Sequence, residues 1–284
     1  MLEGLLQYEF LQNAFIAGVL IGFIAPLLGV FVVVRRLSLI ADALSHVTLA
    51  GIAASLFIEK RFGLVGINPL YMGMAFSVTG SLFIEKLRGI YKHYQELAIP
   101  IILSGGIGLS VIFISLADGF NTDLFNYLFG SVSAVSRSDM WAVVGISGFV
   151  VVIIILFYKE LFLLSFDEEH AIASGINSKL IHFIFIITVA LVIAASMRIV
   201  GILLVSSLMT IPVAASIRIA NGFKQTIFFS VLFGEISVIV GLILSYHLDL
   251  APGGTIVVLA VFILISAISW KKWRRGRSFK NESN

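Results

Sequence analysis

The chain has 284 residues, of which 59% are hydrophobic and only 12% charged, with a formal net charge of +3 and a mean hydropathy of +1.07. Apolar runs of about 20 residues recur along its whole length, which excludes a soluble domain and indicates an all-α polytopic membrane protein. Because the runs are continuous and do not alternate, an outer-membrane β-barrel is excluded. The absence of cysteine excludes disulfides and thiolate metal sites.

Nine apolar segments are predicted to span the membrane, as one transmembrane domain covering residues 1–284. No basic residue precedes the first segment, but Arg35 and Arg36 follow it, which places the N-terminus outside and Arg35 inside. Only Met197 and Arg198 separate the sixth segment from the seventh, so eight spans with a broken helix remain an alternative. The predicted spans are residues 11–34, 37–58, 68–84, 100–117, 140–158, 180–197, 199–218, 223–246 and 253–270.

The basic residues support this orientation. All of the 19 Lys and Arg residues lie on the cytoplasmic side except Lys60, Arg61, Arg137 and Arg198. The largest group is the tail, residues 271–284, so the C-terminus is predicted to be cytoplasmic. Positive charge at the inner ends of spans explains the pI near 9.2, and no nucleic-acid partner is expected.

Two connecting regions are predicted to form short helices. On the outer side, residues 118–139 are too polar to cross the bilayer and indicate a re-entrant or interfacial helix. On the inner side, residues 165–178 begin with acidic side chains, which favour a helix N-terminus, and Gly175 is placed to end the helix.

Asp42 and His46 lie in the second span, within LSLIADALSHVTLAGIA. Residues four apart on a helix share one face. An intramembrane Asp costs about 2.5–3.5 kcal/mol on insertion scales, so a partner or a function is expected. Carboxylate oxygen and imidazole nitrogen both bind Zn²⁺ and Mn²⁺, and the spacing lets both reach one ion. The alternative is a structural hydrogen bond between Asp42 and His46 or a neighbouring helix.

Three further ionisable residues extend this hypothesis. Glu235 lies in the middle of the eighth span at a depth similar to His46, so the three side chains are candidates for one cation path. The alternative is that Glu235 pairs with Arg198 or Ser206. His247 and Asp249 end the same span on the outer side, where they are candidates for an intake site or are simply solvated loop residues.

The chain lacks the motifs of two enzyme classes. It contains no G-x-x-x-x-G-K-[ST], so it is not expected to bind ATP through a P-loop. It contains no H-E-x-x-H, which argues against a zincin-type membrane protease.

Four segments resemble one family of proteins. They are VVVRRLSLIADALSHVTLAGIA, the cytoplasmic SFDEEHAIASGI, then VGILLVSSLMTIPVAAS and LDLAPGGTIV, in this order between Glu9 and Trp270. Together they look like the permease subunit of bacterial zinc/manganese ABC importers. The form RRLSLIADALSHV is closer to the zinc branch, because Gly commonly replaces the second Arg in the manganese branch.

The resemblance implies a type II (vitamin-B12-importer-like) permease fold in the bacterial cytoplasmic membrane. Two permease subunits, expected to be identical, would work with two cytoplasmic ATPase subunits and an extracytoplasmic metal-binding protein. ATP would bind to the partner, so this chain would not be an enzyme, and Zn²⁺ or Mn²⁺ would be cargo and not a resident cofactor. Asp42 and His46 would line the path, and Glu235 less securely. The coupling helix would contain Asp167, Glu169, Ala171 and Gly175, its small residues fitting a groove on the ATPase.

Two other functions are compatible with intramembrane ionisable residues. An ion-coupled secondary carrier would use Asp42, His46 and Glu235 as a relay and would need no ATPase, but a coupling helix has no purpose in such a carrier. A membrane enzyme with a metal at Asp42 and His46 would lack any motif for an activating base.

Overall fold

A computed structural model describes residues 8–63, 68–91, 93–117, 119 and 122–281 of the chain, without the side chains of residues 122, 123, 203 and 273–281. The predicted basic tail, residues 271–284, therefore lies mostly outside the described side chains. In the described ranges the secondary structure is helical, which confirms the all-α class.

The described part of the chain contains twelve α-helices, with a 3₁₀ turn at Gln95–Leu97 between α3 and α4. In chain order, the helices are α1 Glu9–Val34, α2 Ser38–Phe62, α3 Pro69–Ile90, α4 Ala98–Leu116, α5 Thr122–Phe129, α6 Arg137–Leu156, α7 Tyr158–Phe166, α8 Glu168–Ala173, α9 Ser178–Val200, α10 Ile202–Ile219, α11 Phe223–Leu248 and α12 Pro252–Asn281.

Nine of these helices coincide with the nine predicted spans. Seven of the described helices are long and apolar enough to cross a membrane, and α10 is a shorter apolar helix. The remaining predicted span corresponds to α3, which has 22 residues. Among the described helices, the seven long apolar ones and α10 make eight, the lower of the two expected numbers.

The sixth and seventh spans are separated by Gly201, three residues beyond the predicted break. Gly201 adopts φ 86° and ψ 146°, a conformation that favours glycine. A Cβ atom there would lie 2.5 Å from the Leu128 carbonyl oxygen and 2.6 Å from the Phe129 carbonyl carbon. Because the end of α5 packs against this point, no larger residue fits, and the chain turns from α9 into α10.

Helices α1, α2 and α9 form the interior of the bundle. In the most apolar stretch of each of these helices, about two-thirds to three-quarters of the residues are buried. The buried share is 28% for the 3₁₀ turn and α4 together and 22% for α12. The outer helices leave large apolar side chains such as Val111, Ile155 and Phe262 exposed, as expected for surfaces in contact with lipid.

The two predicted short helices are present. Helix α5 lies within residues 118–139, where a short re-entrant or interfacial helix was expected, and its place on the outer side stays a prediction. Helix α8 lies in the inner connection, where the Asp167 side chain caps it by accepting a hydrogen bond from the His170 N–H at 2.8 Å. Gly175 follows α8 at φ 84° and ends it, as predicted.

Candidate functional site

The candidate path begins at the turn between α1 and α2. The Leu37 N–H donates to the Val32 carbonyl at 2.8 Å, and the Arg36 N–H donates to the Val33 carbonyl at 3.0 Å. This is the Schellman arrangement, with Arg36 at φ 58° in the left-handed position that glycine usually takes. The turn fixes the start of α2 at Ser38, a little more than one helical turn before Asp42.

Asp42 and His46 project from one face of α2, as the spacing predicted. Both side chains are half-buried, while Ala41, Ala43 and Leu44 beside them are fully buried. The two are close enough for their charges to interact. A face that is half-open and carries one carboxylate and one imidazole is suited to transient contact with a cation.

Glycines in α3 and α4 hold the backbone of α2 at this level. A Cβ atom at Gly106 of α4 would lie 2.9 Å from the Val47 nitrogen and 3.1 Å from the His46 carbonyl carbon. A Cβ atom at Gly80 of α3 would lie 2.8 Å from the Val47 side chain. The place of Gly106 directly behind His46 is visible only in the fold.

Glu235 does not join the pair within one chain. It lies on α11, which packs on α1, α10 and α12, whereas α2 packs mainly on α3, α4 and α10. A Cβ atom at Gly22 of α1 would lie 3.3 Å from Glu235 Oε2, which is buried and has no hydrogen-bond partner among the described residues. Within the described ranges no group of three His, Asp or Glu side chains could hold one metal ion, so the expected convergence is absent from the single subunit.

His247 and Asp249 are exposed at the outer end of α11, where Asp249 ends the helix at φ 51°. Both line an open pocket of about 610 Å³ together with Phe10, Ser131 and Ser133. The pocket brings the two residues to one surface, but their role as an intake site stays a prediction.

The segment predicted to couple to an ATPase, residues 165–178 and hereafter the coupling segment, differs from expectation at Ala171. Asp167, Glu169 and Gly175 are exposed, and they are accessible to a partner. Ala171 is fully buried in the chain's own core, so it cannot fit into a groove on another protein. Its small size instead lets α8 pack closely on this subunit, and the prediction that Ala171 contacts the ATPase is wrong.

A charged cluster that the sequence reasoning missed lies at the ends of α1, α3 and α9 that are predicted to face the cytoplasm. Arg35 Nη2 lies 2.9 Å from His182 Nδ1, and the Arg35 guanidinium lies over the Phe185 ring, 5.4 Å from its centroid. On its other side, the His182 ring contacts Arg88 and lies 3.2 Å from a Glu85 carboxylate oxygen. A signal was present in the sequence, since Arg35 and Arg36 come just before the segment that carries Asp42 and His46.

A second cluster holds the outer end of α9. Arg198 donates from Nη1 to Asp139 Oδ2 at 2.6 Å and to the Ala134 carbonyl at 2.7 Å. It also donates from Nη2 to the Tyr127 hydroxyl at 2.6 Å. Arg198 therefore fastens α5 and α6 to α9, and it is not the partner of Glu235 that one alternative proposed.

Comparison with known proteins identifies the family. The model of the ABC 3 transport family matches residues 7–271. The chain is 36% identical over 266 residues to the manganese transport system membrane protein MntC of Listeria monocytogenes, covering 94% of this chain and 92% of that protein. It is 34% identical over 277 residues to the manganese import system permease protein ScaB of Streptococcus parasanguinis, covering 97% and 96%.

A solved structure has the same fold. The structure described as PsaBC from Streptococcus pneumoniae in complex with Fab matches with a TM-score of 0.80 and 31% identity. The match covers 94% of this chain and 93% of that chain. With the helix order and the residues around Asp42 already described, the chain therefore belongs to the ABC 3 transport family, as a multi-pass membrane permease.

Proposed function

We propose that the chain is the permease subunit of an ATP-driven importer for a divalent transition-metal ion, which passes Asp42 and His46. The observation that supports this most strongly is the half-open face of α2, where one oxygen and one nitrogen ligand stand in a stretch without other ionisable residues, Leu37 to Ala53. Transport requires ligands that capture an ion and then release it, and a site with few ligands from one chain suits that purpose.

A second copy of the chain would complete the coordination. Asp42 and His46 supply only two ligand side chains, whereas Zn²⁺ takes about four ligands and Mn²⁺ favours octahedral oxygen-rich sites. The absence of a third described His, Asp or Glu near the pair supports a homodimer in which two α2 helices face each other. Glu235, which lies elsewhere in the subunit, would then influence helix packing or the charge along the path and would not bind the ion directly.

Manganese is the first candidate for the cargo. The relatives from Listeria monocytogenes and Streptococcus parasanguinis are named as manganese transport proteins, whereas only the Arg35–Arg36 pair favoured zinc. Mixed carboxylate and imidazole ligands accept either ion, so the ligand set does not contradict manganese. We therefore propose Mn²⁺ as the cargo and keep Zn²⁺ as the alternative.

The coupling segment would receive the movement of two ATPase subunits on the cytoplasmic side. Its exposed residues Asp167, Glu169 and Gly175 are the contacts that we propose, and ATP binding would shift the subunit between outward and inward states. An extracytoplasmic metal-binding protein would deliver the ion near His247 and Asp249, which line the outer pocket. The basic C-terminal tail would lie in the cytoplasm.

Metal uptake tests the path directly. The chain is reconstituted in vesicles with its ATPase and binding protein, and uptake of radioactive Mn²⁺ is measured with and without excess Zn²⁺. Asp42→Ala and His46→Ala are expected to abolish uptake while membrane insertion is retained. The matched control is Glu59→Ala, because Glu59 is an exposed carboxylate at the outer end of the same helix.

Each outcome separates the candidate functions. Normal uptake in either α2 variant removes that residue from the path. Uptake that follows a proton or sodium gradient without any ATPase supports the secondary carrier instead. ATP-dependent uptake of radioactive Zn²⁺ that exceeds the uptake of Mn²⁺ makes zinc the cargo.

Co-purification with the ATPase tests the coupling segment. Gly175→Trp places a large ring on an exposed position and is expected to reduce the yield of complex. Because Gly175 has φ 84°, Gly175→Ala is the control that carries the same backbone strain without the bulk. An undiminished yield with Gly175→Trp would refute the docking role.

A further inference from the structure

The charged cluster at the cytoplasmic end of α1 is centred on His182. A guanidinium only donates hydrogen bonds, so His182 Nδ1 accepts from Arg35. On the other side of the ring, His182 Nε2 contacts Arg88 and lies 3.2 Å from a Glu85 carboxylate oxygen. Arg35 on α1, Glu85 on α3 and His182 on α9 are thereby joined through one buried ring.

The charge of this cluster is balanced only when the coupling segment is included. With His182 neutral, Arg35 and Arg88 face one carboxylate, that of Glu85. The next carboxylate is Glu168, the first residue of α8, whose charge stabilises the guanidinium of Arg35. Burial lowers the pKa of Arg35 to about 10, so the side chain is still cationic at neutral pH and still requires this negative charge.

Arg35 has one donor that the cluster does not use. Its Nη1 atom is buried and has no hydrogen-bond partner in the described part of the chain. Glu168 is exposed, and the structure records only a charge interaction between it and Arg35. A buried donor without an acceptor is unfavourable, so a movement that brings the Glu168 carboxylate to Nη1 would be favoured.

Arg35 is also joined rigidly to the helix that carries the metal ligands. It ends α1, and the Schellman turn at Arg36 and Leu37 connects it directly to Ser38, the first residue of α2. Asp42 lies about one helical turn further on. Because this connection is short and hydrogen-bonded, a displacement of Arg35 also displaces the start of α2.

We propose that Arg35 is a positioning residue that couples the cytoplasmic segment to the metal path. When that segment moves, Nη1 of Arg35 pairs with Glu168, and this pairing shifts the start of α2. This proposal rests on the proposed function. Arg35 does not contact the ion, and His182 and Glu85 hold the Arg35 side chain in its position.

The number of metal ions imported per ATP hydrolysed tests this proposal in the reconstituted transporter. Arg35→Gln and Glu168→Gln are each expected to lower this ratio by about tenfold, a change within the range of coupling free energies between distant sites. The yield of assembled complex and the basal ATPase rate are expected to stay at the wild-type level. The double variant is expected to fall no further than either single variant, since both remove one pairing. The matched control is Arg36→Gln, which removes the exposed neighbouring guanidinium and is expected to keep the wild-type ratio.

A thiol probe reports the movement of α2 without any metal transport. The chain has no cysteine, so Ser38→Cys introduces the only thiol of this subunit, at the first residue of α2. Its rate of labelling by a maleimide is expected to change on addition of ATP with vanadate, and Arg35→Gln is expected to remove that change.

The outcomes distinguish this proposal from the proposed function. A wild-type complex without ATP-dependent uptake refutes the importer itself, whereas normal uptake with an unchanged ratio in Arg35→Gln refutes only the coupling role. A parallel loss of uptake, complex and membrane level would make Arg35 merely structural, as would additive losses in the double variant. An ATP-dependent labelling change that persists in Arg35→Gln would also overturn the proposal.

Discussion

The ion pair between Arg198 and Asp139 provides a test of what holds the outer end of the bundle together. The Asp139 side chain is 3% exposed, and its Oδ2 atom accepts from Arg198 Nη1 at 2.6 Å and from the Ser136 N–H at 3.0 Å. Asp139→Asn keeps the size of the side chain but removes the negative charge opposite Arg198. The variant therefore isolates the electrostatic part of the contact.

The expected loss of stability follows from burial. Breaking a buried ion pair by removing one partner costs about 3–5 kcal/mol. The Arg198 side chain is 22% exposed and keeps its hydrogen bonds to Tyr127 and to the Ala134 carbonyl, so solvent and these acceptors offset part of the cost. We expect a loss of about 2 kcal/mol in the free energy of unfolding, which corresponds to a fall of about 3–4 °C in Tm for a protein of this size.

Thermal unfolding of the purified chain in detergent measures this difference. The matched control is Glu9→Gln, which neutralises the carboxylate of an exposed pair: Glu9 and Arg137 lie 3.7 Å apart, with side chains 66% and 73% exposed. Exposed pairs contribute about 0–1 kcal/mol, so the control is expected to lower Tm by no more than about 2 °C. A fall for Asp139→Asn no larger than for Glu9→Gln would refute the reasoning.

Two further predictions concern helix packing and the charge on α11. Gly29→Ala is expected to lower the yield of folded protein, because its Cβ atom would overlap the Met209 carbonyl of α10. Gly108→Ala is the control, since its Cβ atom would meet nothing within 4 Å and the yield is expected to stay unchanged. Fluorescence-detected size-exclusion chromatography compares the two variants, and equal yields would contradict the expected overlap at Gly29. Glu235→Gln is expected to retain at least half of the wild-type uptake, because Glu235 packs against Gly22 and not beside the metal pair, and a complete loss of uptake would restore it as a ligand.

Some site features were predictable because they depend on local sequence. The four-residue spacing of Asp42 and His46 places both on one helical face wherever the helix lies. The acidic start of α8 and the glycine after it predict a capped short helix, and both are present. The contact partners of these residues did not follow from spacing. Ala171 was expected at a partner surface, but it is buried, because the face of α8 that turns inward depends on the packing of the helix.

By itself, the sequence determined the class of protein, the order of its apolar helices, and the pair of polar residues in α2. These properties follow from the length of apolar runs and from helical periodicity, which act within one segment. The tertiary structure decided which segments are neighbours. It separated Glu235 from Asp42 and His46, joined Arg35 to His182, and paired Arg198 with Asp139. The physical reason is that helix neighbours in a bilayer are selected by close contacts at small residues, such as Gly106 behind His46, and by polar pairs between residues far apart in the chain.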